Sequence, residues 1–175
     1  MRTAIAYYSL SGNTKLLAEA ISETVNPVKV IRLKTYNEIN DNKFTKYLIG
    51  GKQALFNALP EIEPLNFDFS SIDLLFLGTP IWAWRPAPAV RTFLKSEILP
   101  ENIAIFATHG GSSGKFNERF TNMLSNKNIS FIDFKEPLKY NTDKAVLTAK
   151  KWASDIIKNV VRKNTKENVN GEKSN

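Results

Sequence analysis

The chain predicts an α/β fold with a doubly wound, five-stranded parallel sheet, and three observations carry that prediction. Strand-like and helix-period segments alternate along the sequence. The central strand candidates are near-continuous apolar runs, as expected of strands covered on both faces. Three stretches of unusual composition each follow one of these strands, where sheets of this class bind ligands.

The first strand covers about 3–8, Thr3-Ala4-Ile5-Ala6-Tyr7-Tyr8, and the first helix about 14–25. Asn26-Pro27 ends that helix, because proline disfavours helical geometry in the residue before it. Val28–Leu33 alternates as a second strand. A second helix is expected over about 41–57, weakened by Gly50-Gly51, with Lys43, Lys46 and Lys52 solvating its outer face. Asp73–Gly78 is the third strand, followed by a helix over 87–97. Asn102–Thr108 is the fourth, followed by a helix over 114–126. Ile129–Phe134 is the fifth strand, and the last helix spans about 142–163 on a stripe including Val146, Ala149, Trp152, Ala153, Ile156 and Val160. Residues 1–163 thus form one domain, and 164–175 are expected to be a disordered polar tail.

Composition limits the function. The 175 residues carry a net charge of +7, and residues 158–175 contribute +3 of it. No basic stripe interleaved with aromatics occurs, so a nucleic-acid partner is not expected. Cysteine is absent, which removes disulfides, thiolate metal sites and cysteine nucleophiles. No apolar run reaches ~18 residues and the amino terminus lacks a signal-peptide pattern, so a cytoplasmic protein without membrane insertion is expected.

The three strand-end stretches form the candidate site. Ser9-Leu10-Ser11-Gly12-Asn13-Thr14-Lys15 places free backbone amides at a helix start, where the helix dipole favours an anion. Ser9, Ser11 and Thr14 add hydroxyls and Gly12 permits close approach, so this stretch reads as a phosphate cradle. Thr79-Pro80-Ile81-Trp82-Ala83-Trp84-Arg85-Pro86 reads as a loop that holds two of the three tryptophans. At least one of them is expected to offer a flat ring a stacking surface. Thr108-His109-Gly110-Gly111-Ser112-Ser113-Gly114 lets backbone amides approach the polar edge of such a ring. A ribityl or ribosyl phosphate bearing a flat heterocycle fits all three.

Other readings of these residues fail. Gly110–Gly114 matches G-x-S-x-G, but a serine hydrolase of this fold needs a histidine after the serine, and the single histidine, His109, precedes it. Gly110–Lys115 is one residue short of a P-loop and has Phe116 where that motif has Ser or Thr. His109 reads first as a hydrogen-bonded wall residue and second as a proton donor over a redox ring.

Ser-Leu-Ser-Gly-Asn-Thr behind the first strand resembles the flavodoxin phosphate loop. Thr-Pro-Ile-Trp behind the third strand, with Val-Arg-Thr-Phe-Leu in the next helix, and the Gly-rich stretch behind the fourth are similar to that family too. The resemblance covers about 1–162 and implies strand order 2-1-3-4-5 and bound FMN. The short 135–141 join resembles the short-chain type. By this resemblance Ser9, Ser11, Gly12, Asn13 and Thr14 hold the phosphate, and Trp82, Trp84 and the 108–112 backbone hold the isoalloxazine. An electron carrier is implied, its partner a redox protein or a small-molecule electron acceptor. The alternatives are an FMN-dependent NAD(P)H:quinone-type reductase and a binding module without flavin. The chain departs from the family pattern in lacking a tyrosine in 108–114. The three stretches carry Lys15 and Arg85, with Lys115 just beyond, and no Asp or Glu. A positive rim, and hence a less negative reduction potential than in acidic flavodoxins, is therefore expected.

Overall fold

A computed structural model of the protein describes residues 1–36 and 59–171. The helix expected over 41–57 lies outside those residues. The elements are β1 (Thr3–Tyr7), α1 (Asn13–Val25), β2 (Lys29–Arg32), β3 (Leu74–Trp82), β4 (Arg85–Pro86), α2 (Pro88–Ser96), β5 (Asn102–His109), α3 (Phe116–Met123), β6 (Asn128–Lys135), α4 (Pro137–Tyr140) and α5 (Thr142–Gly171). β1, β2, β3, β5 and β6 form a parallel sheet in the order β2-β1-β3-β5-β6, the predicted 2-1-3-4-5 winding once the short β4 is set aside.

Side-chain alternation along each strand sorts the core into two layers. Ala4, Ala6, Leu75, Leu77, Ile103 and Ile105 face one side, where Val90 and Phe93 of α2 and Phe116 and Phe120 of α3 cover them. Ile5, Tyr7, Leu74, Phe76, Ala104 and Phe106 face the other, under Leu17 and Ile21 of α1 and Ala149, Ala153 and Ile156 of α5. Burying both faces makes the strands read as unbroken apolar runs. Each large side chain taken fully out of water here stabilises the fold by about 1.5–3 kcal/mol before entropy is counted.

Two elements differ from their sequence patterns. β3 continues four residues past Gly78, and Trp82 then pairs with Arg85 across a two-residue turn. The 79–86 stretch is therefore mostly a β-hairpin rather than a loop. Its turn residues Ala83 and Trp84 have φ of 49° and 59°, the left-handed pair that a tight hairpin needs. Asn-Gly is the usual signal for such a turn, and this sequence lacks it. The last helix continues to Gly171, eight residues past its expected end and into the stretch assigned to the tail. Lys, Glu and Asn keep helical geometry there with no apolar stripe to announce it. Among the described residues, no helix is long and apolar enough to cross a membrane.

Candidate functional site

The carboxyl ends of β1, β3 and β5 enclose one pocket of about 400 Å³. Ser11 and Asn13 line it from the first stretch, and Pro80, Ile81, Trp82 and Ala83 from the hairpin. Thr108, His109 and Gly110 line it from the end of β5, and Glu136 joins from the β6–α4 turn. The three stretches predicted to converge do converge.

The α1 end of the pocket is built largely from backbone. Gly12 caps α1 in the left-handed region at φ 87°, with no side-chain cap. A Cβ there would meet Leu138 Cδ1 at 3.3 Å as well as strain the backbone. Of the first four amides of α1, Leu16 N donates to Gly12 O at 2.9 Å and Lys15 N to Ser9 Oγ at 3.2 Å. Among the described residues nothing takes the amides of Asn13 and Thr14, so two donors at the positive end of the helix remain for an anion. The Asn13 side chain fixes this end to α4. Its Oδ1 accepts from Leu138 N at 3.0 Å, and its Nδ2 donates to Ser11 Oγ at 3.1 Å.

Several predicted residues brace the pocket: Ser9, Thr14, Thr79 and Ser112 do so without lining it, while Thr108 does both. Ser9 is buried, with its oxygen engaged by Lys15 N. Thr14 and Thr108 are both buried and share a hydroxyl–hydroxyl bond of 2.9 Å, which ties the start of α1 to the end of β5. Thr79 Oγ1 donates to Pro80 O and accepts from Ala87 N, both at 3.0 Å, and so shapes the hairpin exit. Ser112 Oγ accepts from Gly114 N at 3.1 Å, and a Cβ on Gly111 would meet nothing within 4 Å. Lys15 lies 3.7 Å from Glu19 on the exposed face of α1.

The tryptophans divide. Trp82 lines the pocket and meets Tyr8 edge-on, with ring centroids 5.8 Å apart. Trp84 is 53% exposed and outside the pocket lining. Its ring lies over Gly114, where a Cβ would come within 2.6 Å of it.

His109 sits in the pocket wall with its side chain 10% exposed, and its Nε2 lies 2.8 Å from Asp133 Oδ2. With Asp133 a carboxylate, Nε2 carries the proton, and Nδ1 is a buried atom without a hydrogen-bond partner. Sequence reasoning missed both acids, because it searched only three strand ends. Asp133 alternates along β6 and Glu136 follows that strand, held at φ 32° with its amide on His109 O. The signal was the short 135–141 join, which closes the fourth side of the pocket. The expected acid-free rim is therefore corrected. Glu136 lines the pocket, with Lys139 3.5 Å from its carboxylate, while Arg85 lines a different cavity.

The flavodoxin family model matches residues 2–156. No curated protein sequence matches the chain. Among solved structures, a flavoprotein of Lactobacillus acidophilus NCFM in complex with FMN superposes with a TM-score of 0.62 at 26% identity, over 82% of this chain and 97% of that one. A protein of Bacteroides eggerthii DSM 20697 assigned as a flavoprotein superposes at 0.68 with 21% identity, over 89% and 98%. An NAD(P)H:quinone oxidoreductase of Methanothermobacter marburgensis shares the fold at 0.54 and 11% identity, over 87% and 95%. With the family model spanning most of its length and a strand order that agrees, this chain belongs to the flavodoxin family.

Proposed function

We propose that the protein binds FMN in the strand-end pocket and serves as an electron-transfer flavoprotein. The observation that carries this reading is the pocket's chemical gradient. Two uncommitted amides at the start of α1 suit a phosphate, Trp82 offers an aromatic wall, and the His109–Gly110 backbone offers a polar edge. The FMN complex of the Lactobacillus relative supports the choice of flavin. Bound FMN would supply the redox chemistry. The chain's own residues anchor its phosphate (11–14), wall its ring (Trp82) and set the charge around it (His109–Asp133 and Glu136).

The test is reconstitution. The purified protein mixed with FMN is expected to quench flavin fluorescence and saturate at one FMN per chain. A protein that leaves the flavin fluorescence unchanged and is colourless once free FMN has been removed overturns the reading.

The second reading, an FMN-dependent NAD(P)H:quinone-type reductase, is favoured by one observation. The His109–Asp133 pair holds a titratable group in the pocket wall, as proton delivery to a reduced acceptor requires. Steady turnover of NADPH with a soluble quinone selects the reductase, and its absence in an FMN-loaded protein selects the carrier.

A further inference from the structure

We propose that His109 and Asp133 together hold the proton that compensates reduction in the strand-end pocket. When a bound ring gains electrons, His109 takes up a proton from solvent and the Asp133 carboxylate stabilises the imidazolium. This inference rests on the FMN reading and assigns two residues of the pocket a role in its redox chemistry.

Asp133 is the positioning residue. Its Oδ2 lies 2.8 Å from His109 Nε2, and among the described residues no other group bonds the ring. Asp133 thus fixes the neutral tautomer as Nε2–H, and Nδ1 is the nitrogen left to take a second proton. The main chain of His109 is held too, since its carbonyl accepts from Glu136 N at 2.9 Å. The pair spans the edge of the sheet. Asp133 stands on β6, the outermost strand, with its side chain 33% exposed, while His109 on β5 is 10% exposed and lines the pocket. One partner meets water and the other meets the ligand space.

Two effects oppose each other at the ring. The Asp133 carboxylate favours the imidazolium, while burial and the want of an acceptor at Nδ1 favour the neutral form. The other charges nearby are engaged or exposed. Glu136 lines the pocket with Lys139 3.5 Å from its carboxylate. Lys135, the register partner of His109, is exposed, with its ammonium 5.1 Å from the centre of the Tyr140 ring. The hairpin lines the pocket with Pro80, Ile81, Trp82 and Ala83, which carry no charge. On the side of the sheet toward which His109 alternates, α3 buries Phe116 and Phe120, and Lys115, Glu118 and Arg119 are exposed. With His109 neutral, the pair keeps one negative charge in the pocket wall. Electrons arriving on a ring there meet that charge, and a proton on His109 cancels it. Two electrons enter from an external donor, one proton leaves water to form the Nδ1–H bond, and no bond of the protein breaks.

His109 is the only histidine of the chain, so its ring nitrogens give unique NMR signals in protein labelled with heavy nitrogen. In the FMN-loaded protein the neutral ring is expected as the Nε2–H tautomer. Between about pH 6 and about pH 8, reduction with dithionite should shift both nitrogens toward imidazolium values. Potentiometry gives the second readout. The midpoint potential should fall more steeply with pH in the parent than in Asp133→Asn, whose carboxamide can still accept from Nε2–H but carries no charge. Nitrogen signals that do not move on reduction overturn the proposal, as does an Nδ1–H tautomer. An equal slope in parent and variant overturns the part given to Asp133. Failure to bind FMN sinks this inference together with the cofactor reading, whereas bound FMN with unmoved nitrogen signals sinks this one alone.

Discussion

The two cavities that flank the β3–β4 hairpin are built from different materials. The strand-end pocket presents backbone: amides at the start of α1, the Gly110 main chain, and a hairpin edge that carries one tryptophan. The other cavity, of about 490 Å³, is a cleft whose lining includes the long cationic side chains Arg85, Arg91, Lys95 and Arg119. Backbone donors are fixed by the fold and carry no net charge, so such a site depends on local geometry and little on salt. Side-chain cations act through charge, so the cleft depends on ionic strength and tolerates backbone change. Glycines should control the first cavity, and charges the second.

The largest expected effect removes both cavities together. Gly78 lies where β3 passes between β1 and β5, and a Cβ there would sit 2.4 Å from the Phe106 ring and 2.7 Å from Tyr7 Cβ. Gly78→Ala should destabilise the protein by about 3 kcal/mol through overpacking. Chemical denaturation measures this, and a loss below 1 kcal/mol would mean the strands can separate there.

The next separates the cavities. Gly12→Val places a β-branched residue at φ 87° against Leu138. About 1–3 kcal/mol of strain at the cap should weaken FMN binding roughly tenfold to a hundredfold and leave the rest of the fold, the cavity beside Arg85 included, intact. Loss of the native circular-dichroism spectrum in the variant would show global destabilisation instead.

The smallest effect concerns charge inside the pocket. Glu136→Gln removes the carboxylate that lines it. Adding electrons to a nearby ring then meets less repulsion, so the midpoint potential should rise by roughly 30 mV. Lys139 beside the carboxylate keeps the shift small. Potentiometry on the loaded protein checks this, and a fall in potential would contradict it.

The winding, the two-sided core and the convergence of three strand ends were legible because each rests on short-range pattern. Ile5 and Tyr7 alternate with Ala4 and Ala6, and the sheet buries both sets. The open helix start at Ser11–Thr14 was legible locally too, since Gly12 takes up the left-handed cap geometry that leaves the first amides of α1 without partners. The hairpin was not legible. Ala83 and Trp84 adopt left-handed geometry without a glycine, held by ladder pairing on one side and the Trp84–Gly114 contact on the other. Glu136 and Asp133 were missed because their places in the site depend on a turn that closes from a distant strand.

By itself, then, the sequence determined the sheet, its two covered faces and a glycine-capped helix start with open amides, because hydrophobic period and chain geometry act over a few residues. Tertiary structure decided which tryptophan faces the pocket, which acids join it and that Arg85 turns toward a separate cationic cleft. The physical reason is that a cavity's surface is shared by segments far apart in the chain. Its charge and shape exist only once β3, β5, β6, α2 and α3 have packed.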